Sequence, residues 1–287
     1  MIRRPRRNLA VVLAAVLALG VPGCMMLEIK EREVLYRPIR DYARTPAAMD
    51  LAFEDVWIEV AGDDTRERER VHAWWVPAAT ADAPAILYLH GIRWSLGNNL
   101  FRIARWHRLG FSVLAIDYRG FGRSDGELPS EDRIYADARA AWDELARREP
   151  RAERRFIYGH SLGAAVAVEL GASVGDAAGV IAESGFTSIS DMVAESYAPL
   201  QLFVSQKFDA LSRAKALKAP VLFVHGTADR FVPPAMSRKL YEAAPHPKKL
   251  HLIDGGNHGN WNGAGLDEYA QVVGEFVRSA RELKRTP

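Results

Sequence analysis

Ser161 stands between two glycines in the run Gly159-His160-Ser161-Leu162-Gly163. A Gly-x-Ser-x-Gly run between a strand and a helix is typical of a nucleophile elbow, a sharp turn that exposes the serine hydroxyl above a sheet. The apolar run Phe156–Tyr158 before it and the alanine-rich run after it predict that context. We therefore predict that Ser161 attacks a carbonyl carbon. A purely structural glycine turn is the alternative.

A serine nucleophile needs a general base and an acid that orients the base. His258 lies in a glycine-rich loop after a predicted strand, and Asp229 follows another predicted strand. Because the carboxyl ends of parallel strands meet at one edge of a sheet, we expect both loops to reach Ser161. We predict His258 as the base and Asp229 as the acid. Glu183 and Asp254 are the alternative acids, since each also follows a predicted strand.

The negative charge that develops on the attacked carbonyl oxygen needs hydrogen-bond donors, and two backbone N–H groups are enough. Sequence position predicts Leu162, directly after the nucleophile, and Ile92, in the loop that follows the apolar run Ala85–Leu89. Arg93 and Trp94 come next in this loop. Their side chains either contact a substrate or form a salt bridge and a packed ring, and both interpretations stay open.

These residues need a scaffold, and the apolar pattern predicts alternating strands and helices. The predicted strands are Val56–Val60, Val71–Val76, Ala85–Leu89, Phe111–Ile116, Phe156–Tyr158, Val180–Ala182, Val221–Val224 and Lys249–Ile253. The predicted helices are Asn98–Leu109, Ser130–Arg148, Leu162–Leu170, Pro233–Ala244 and Gly265–Leu283. The central strands are nearly continuous apolar runs, as expected for parallel strands covered on both faces. This order predicts an α/β fold with a doubly wound, mostly parallel sheet and an antiparallel hairpin at one edge.

The composition is that of an ordinary globular protein. The chain has 287 residues, of which 48% are hydrophobic and 26% charged, and this length allows one large core. The formal net charge is only +2, and no basic stripe with interleaved aromatic residues stands out. Nucleic acid is therefore not expected as a partner.

The N-terminal residues are organised like a secretory signal peptide. A basic stretch, Arg3–Arg7, precedes the apolar run Leu9–Leu19, which is shorter than the ~20 residues that span a bilayer. Cys24, the only cysteine of the chain, follows in a segment that resembles a bacterial lipobox. We predict a signal peptide over 1–23 and a lipid on Cys24 that anchors the protein in the bacterial cell envelope, at the outer membrane or periplasmic face. An uncleaved anchor with an incidental cysteine is the alternative.

The rest of the chain divides into two parts. We predict a polar, arginine-rich tether over residues 24–50, with Leu35 and Tyr36 among its few apolar anchors, and a single domain over 51–287. Within this domain, Phe186–Pro220 separates two predicted strands. This segment forms a small or minimal cap over the site, or else one surface helix and a loop.

Five segments of the domain resemble the signature blocks of one branch of the α/β-hydrolases. They are Leu87–Gly91, Asp117–Ser124, Gly159–Gly163, Glu183–Ser188 and His225–Pro233. The branch holds the Bem46-like proteins and the membrane-associated α/β-hydrolase-domain proteins, with serine-peptidase-like relatives. The resemblance implies an eight-stranded sheet and the hydrolysis of ester, thioester or lipid-acyl bonds with no metal or organic cofactor.

The residues and the resemblance together predict a serine hydrolase that works through an acyl-enzyme, with Ser161, His258 and Asp229 as its triad. Its expected substrate is a small acyl ester or a lipid-like molecule, and its membrane contact is the N-terminal lipid. A peptidase or an acyltransferase with the same triad is one alternative. A catalytically silent binding protein on a hydrolase scaffold is the other.

Overall fold

The structure, a computed structural model, describes residues 26–40, 42, 44–62, 68–92, 94–259 and 264–285. The predicted signal peptide, Cys24 and Arg93 lie outside the described residues. What the sequence predicts for them stays a prediction.

An eight-stranded sheet forms the centre of the domain, as the sequence predicts. Its strands are β1 (Glu54–Ala61), β2 (Arg68–Val76), β3 (Ala85–Leu89), β4 (Ser112–Ile116), β5 (Arg155–His160), β6 (Gly179–Glu183), β7 (Val221–Gly226) and β8 (Lys248–Ile253). They lie in the order β1-β2-β4-β3-β5-β6-β7-β8. Strand β2 runs antiparallel to both of its neighbours, and all other pairs from β4 to β8 are parallel. The predicted antiparallel hairpin is therefore β1 and β2.

Helices cover both faces of the sheet. They are α1 (residues 26–36), α2 (Leu100–Arg108), α3 (Glu131–Arg148), α4 (Leu162–Ser173), α5 (Ile189–Tyr197), α6 (Ala210–Ala214), α7 (Pro234–Ala243) and α8 (Ala264–Arg285). Within the described part of the chain, no helix is both long enough and apolar enough to cross a membrane.

Two apolar cores lie on opposite faces of the sheet, because alternate side chains of a strand point to opposite sides. In β3, Leu87 and Leu89 pack into one core with side chains of α3, α4 and α7, whereas Ile86 and Tyr88 pack into the other with side chains of α2 and α8. Helix α4 is buried on nearly all sides, which explains its almost uniformly apolar sequence.

The segment before the sheet packs against the domain. Helix α1 covers part of the predicted tether, and Tyr36 at its end is fully buried, with its hydroxyl donating to Gln206 Oε1 at 2.9 Å. Arg32 donates to the carbonyl oxygens of Pro129 and Leu128 at 2.7 and 2.6 Å. The second half of α1 is thus packed against the domain, whereas residues 26–30 are exposed.

A small cap lies between β6 and β7. It consists of α5, a 3-10 helix over Ala198–Phe203, and α6. Ser188 caps α5, because its hydroxyl accepts a hydrogen bond from Asp191 N–H at 2.9 Å. The predicted cap is therefore present, and it is built from one two-turn helix and shorter pieces.

Candidate active site

Ser161 occupies a strained turn between β5 and α4. Its backbone has φ 56° and ψ −119°, a conformation that non-glycine residues rarely adopt. The turn needs glycine on both sides: a Cβ on Gly159 would overlap the carbonyl group of Gly163, and a Cβ on Gly163 would overlap the carbonyl oxygen of Leu89. Only glycines allow the chain to fold this tightly, and the turn presents Ser161 at the carboxyl edge of the sheet.

His258 bridges the serine and a carboxylate. Its Nε2 lies 3.1 Å from Ser161 Oγ, and its Nδ1 lies 2.7 Å from Asp229 Oδ2. These residues come from three separate loops, after β5, β7 and β8, whose strands end at the same edge. With Nδ1–H donating to the carboxylate, Nε2 is left as the acceptor for the serine proton.

Asp229 is held in its ionised form by four groups. Its Oδ1 accepts hydrogen bonds from the N–H groups of Phe231 and Val232 at 2.8 and 2.9 Å, and its Oδ2 lies 3.1 Å from His225 Nε2. Burial acts to raise the pKa of Asp229, but the hydrogen bonds from His225 and His258 and the backbone donor of Val232 outweigh it. The pKa of this carboxyl is held well below its usual value.

The alternative acids lie apart from this chain of hydrogen bonds. Glu183 is fully buried, and its Oε2 accepts from Arg105 Nη2 at 2.7 Å and from the Tyr158 hydroxyl at 3.0 Å. Its backbone carbonyl accepts the Ser161 N–H at 2.9 Å. Asp254 is exposed, and its Oδ1 accepts from the Thr227 hydroxyl at 3.1 Å.

Two residues that the sequence analysis did not select support the His258 loop. His160 Nε2 lies 2.7 Å from the carbonyl oxygen of His258, and Arg102 Nη2 donates to the carbonyl oxygen of Gly259 at 3.1 Å. Burial, together with the nearby charge of Arg102, lowers the pKa of His160 well below its usual value, so this ring stays neutral. Its neutral Nε2–H is then the donor to His258.

The residues predicted to supply the oxyanion donors, Leu162 and Ile92, line the same cleft as Ser161. Leu162 is the first residue of α4, where N–H groups have no acceptor within the helix. The loop of Ile92 passes close to the elbow, since a Cβ on Gly91 would lie 3.3 Å from Ser161 Cβ. This loop is fixed by His90, whose Nδ1 is 2.6 Å from the Gly91 carbonyl oxygen and whose pKa burial lowers to about 4.

The comparison with known families agrees with this geometry. Residues 81–211 and 200–263, more than half of the chain, match a family model described as serine aminopeptidase, S33. The chain belongs to this family of α/β-hydrolases.

Curated relatives match most of this hydrolase. An uncharacterized protein of Mycobacterium tuberculosis is 32% identical over 88% of the chain and 89% of its own length. The α/β-hydrolase domain-containing protein WAV2 of Arabidopsis thaliana is 29% identical over 78% of the chain and 79% of its own length. Among solved structures, the Pyrococcus furiosus esterase Pf2001 shares the fold, with a TM-score of 0.69 and 23% identity over 85% of the chain and 98% of its own.

Two clefts of the hydrolase meet at Ser161. One, of about 420 Å³, is apolar and lies under the cap, with walls formed by Leu35, Ile92, Leu162, Phe186, Ile189, Met192, Val193, Leu200 and Phe231. The other, of about 250 Å³, is lined by Gly91, Ile92, Trp94, Asn99, His160, Phe231 and His258. Ile92 and Phe231 border both clefts, so the serine hydroxyl stands at their junction, and the second cleft has the side chains of Asn99, His160 and His258 in its wall. Trp94, which the sequence left without a role, faces the second.

Proposed function

We propose that this hydrolase is a serine esterase that cleaves acyl esters or thioesters through an acyl-enzyme. Ser161 is the nucleophile, His258 the general base and Asp229 the acid that orients His258. The observation that supports these roles is the continuous hydrogen-bonded chain from Ser161 Oγ through both nitrogens of His258 to Asp229 Oδ2.

The chemical steps follow from that chain. His258 Nε2 takes the proton of Ser161 Oγ as the oxygen forms a bond to the substrate carbonyl carbon. The N–H groups of Leu162 and Ile92 stabilise the oxyanion of the tetrahedral intermediate. When the intermediate collapses, the bond to the leaving group breaks and His258 passes its proton to that group. A water then loses a proton to His258, attacks the acyl carbon and releases the acid, while Ser161 Oγ regains its proton.

The apolar lining of the first cleft supports the inference that this cleft binds the acyl group of the substrate. Its walls are almost entirely aliphatic and aromatic side chains, whose burial by an alkyl chain is favoured by about 0.8 kcal/mol per methylene. The leaving group then faces the second cleft, beside Trp94 and Asn99. We therefore infer esters or thioesters of medium or long apolar acids as the substrate class.

A peptidase with the same triad is the second candidate, because the matched family is described as a serine aminopeptidase. Recognition of a free N-terminal amine calls for a carboxylate near the scissile bond. The described residues that line the two clefts at Ser161 include no aspartate or glutamate, which favours the esterase over an aminopeptidase. An acyltransferase would differ only in the acceptor that replaces water.

Labelling by a fluorophosphonate probe tests the proposal, with turnover of p-nitrophenyl esters of increasing acyl length measured in parallel. We expect the wild-type protein to be labelled and to prefer longer acyl chains. We expect Ser161→Ala and His258→Ala to lose both the labelling and the ester turnover. A folded wild-type protein that is neither labelled nor active would favour the binding-protein alternative. Cleavage of peptides but not of esters would favour the peptidase.

We also infer that the protein belongs to the Bem46-like branch and is anchored in a bacterial cell envelope through a lipid on Cys24. The five sequence blocks support the branch, and the basic and apolar parts of residues 1–23 support the anchor. Mass spectrometry of the mature N-terminus tests the anchor: a diacylglycerol-modified Cys24 is expected. An unmodified Met1, or cleavage at another position, would contradict it, and Cys24→Ala is the control.

A further inference from the structure

The outer end of the cap exposes large apolar side chains. In the 3-10 helix Ala198–Phe203, Leu202 is 82% exposed and Phe203 is 65% exposed. Leu200 in the same helix is half exposed and also lines the apolar cleft. A monomeric protein rarely exposes several adjacent side chains of this size unless they meet a partner.

Helix α1 extends this exposed surface. Glu31 accepts hydrogen bonds from the N–H groups of Ser205 and Gln206 at 3.0 and 3.1 Å, directly after the cap's exposed end. Leu27 and Val34 share a side of α1 with Glu31, because residues three and four positions apart are neighbours on a helix, and both are exposed. We call Leu27, Val34, Leu200, Leu202 and Phe203 the apolar patch.

The apolar patch borders the mouth of the apolar cleft. Leu35, next to Val34 in α1, and Leu200 in the cap both form walls of the cleft that reaches Ser161. An alkyl chain that enters between these two residues would pass from the patch to the nucleophile without crossing polar surface.

The short distance along the chain between Cys24 and α1 indicates which partner covers the patch. Cys24, the residue proposed to carry a lipid, is two positions before Met26, and the apolar run Leu9–Leu19 ends close before it. Since an extended residue spans at most ~3.6 Å, a lipid on Cys24 would hold the start of α1 within roughly 10 Å of the bilayer surface. Leu27 and Val34 of the patch therefore lie on the helix that a lipid on Cys24 would bring to the membrane, and Glu31 of the same helix binds the chain directly after the cap residues of the patch.

We propose that the apolar patch contacts a lipid bilayer and that acyl chains enter the cleft from that bilayer, so that the substrates are acyl esters of membrane lipids. The catalytic part of this proposal rests on the proposed esterase function, whereas the membrane contact does not. Exposed Leu and Phe side chains at an anchored surface are the residues expected to insert into the region between headgroups and acyl chains.

Site-specific fluorescence tests the contact. Cys24 is the only cysteine, so Cys24→Ser gives a full-length chain without thiols that keeps the apolar run Leu9–Leu19 as its anchor. A nitrobenzoxadiazole dye is attached at Leu202→Cys, or at Leu283→Cys as the control, since Leu283 is 50% exposed near the end of α8. The labelled chains are added to phosphatidylcholine–phosphatidylglycerol vesicles that contain doxyl-labelled lipid.

We expect the dye at position 202 to be quenched at least threefold more than the dye at position 283. Measured on the chains that float with the vesicles, equal quenching at both positions or no quenching at either would overturn the proposal. Disulfide-linked dimers of the unlabelled Leu202→Cys chain would point instead to a second copy of the chain on the patch, and would overturn it too.

Activity tests the entry route. In the double variant Leu202→Glu, Phe203→Glu we expect hydrolysis of a vesicle-embedded long-chain ester to fall at least tenfold and hydrolysis of soluble p-nitrophenyl acetate to stay within twofold of wild type. Leu283→Glu is the matched control and should change neither rate. Equal losses on both substrates would overturn the entry route. A wild-type protein inactive on every ester would instead refute the esterase function, and the quenching result would still decide the membrane contact.

Discussion

The replacement Asp229→Asn separates the proposed orienting acid from its buried rival. Asp229 Oδ1 accepts two backbone N–H groups, so the amide oxygen of an asparagine keeps that position. Its NH₂ group then takes the place of Oδ2 and points at His258 Nδ1, 2.7 Å away in the wild type. Because an amide N–H can only donate, His258 has to carry its proton on Nε2, where it can no longer accept the proton of Ser161.

The cost of this wrong tautomer is large. Loss of the orienting carboxylate in a serine triad lowers kcat by about 10⁴, which corresponds to about 5.4 kcal/mol of transition-state stabilisation. The fold should persist, because the side-chain shape and the two backbone hydrogen bonds remain. We therefore expect kcat for p-nitrophenyl butyrate to fall by about three to four orders of magnitude, with a circular dichroism spectrum like that of the wild type.

Glu183→Gln is the matched control, since Glu183 also follows a strand of the same sheet edge. Its carboxylate pairs with Arg105 and Tyr158 beneath the site, so the change should lower the free energy of unfolding by roughly 3 kcal/mol and kcat by less than tenfold. Steady-state kinetics and urea denaturation of both variants measure the two effects. The reasoning is refuted if folded Asp229→Asn keeps more than a tenth of wild-type activity, or if folded Glu183→Gln shows the larger loss.

Three further changes test other parts of the site. Met192→Trp should fill part of the 420 Å³ apolar cleft. We expect kcat/KM to fall at least tenfold for p-nitrophenyl octanoate and to stay nearly unchanged for p-nitrophenyl acetate. An unchanged chain-length profile would show that acyl groups bind elsewhere. Arg102→Met removes the hydrogen bond to the Gly259 carbonyl that supports the His258 loop. We expect kcat to fall about tenfold with little change in KM, and Arg102→Lys to recover part of the activity. A change in KM with kcat unaltered would contradict this. Burial raises the pKa of Asp117 to about 8, so the folded state keeps a proton that the unfolded chain loses above about pH 4. The free energy of unfolding should therefore fall by up to about 1.4 kcal/mol per pH unit between about pH 4 and pH 8, and Asp117→Asn should remove this pH dependence. Urea denaturation of both proteins from pH 5 to 8 measures it. Equal slopes of unfolding free energy against pH in the two proteins would contradict this.

The strands could be predicted wherever the apolar pattern of their own side chains indicates a strand. All eight strands were predicted, the central ones from nearly continuous apolar runs and the edge strands from shorter β-branched and aromatic runs. Strand β5 continues past the predicted end at Tyr158 because Gly159 and His160 pair with Ala182 and Glu183 of β6, and glycine has a low strand propensity on its own. The sequence predicted α1 only as part of a tether. Most side chains of this helix are exposed, so it has no long apolar pattern, and its contacts are with residues far along the chain such as Gln206.

The site was predictable to the extent that its signals are local. The glycines around Ser161 and the loops after strands pointed to Asp229 and His258, and the structure brings all three side chains together. The choice between Asp229 and Glu183 depended on which loop reaches His258, a matter of strand order that the sequence does not encode locally. The support from Arg102 and His160 joins α2, the elbow and the β8 loop, so no single stretch of sequence carried a signal for it.

The packing of helix α1 has a consequence for how the catalytic unit is defined. A protein cut at residue 51, where the sequence places the start of the domain, would lose Leu35 from the wall of the apolar cleft and Tyr36 from the core. Such a truncated protein would keep Ser161, His258 and Asp229, but its apolar cleft would lack one wall, so acyl-chain preferences measured on it would be those of a more open cleft. Transfer of the domain to another protein would therefore have to include α1, because this helix supplies one wall of the apolar cleft.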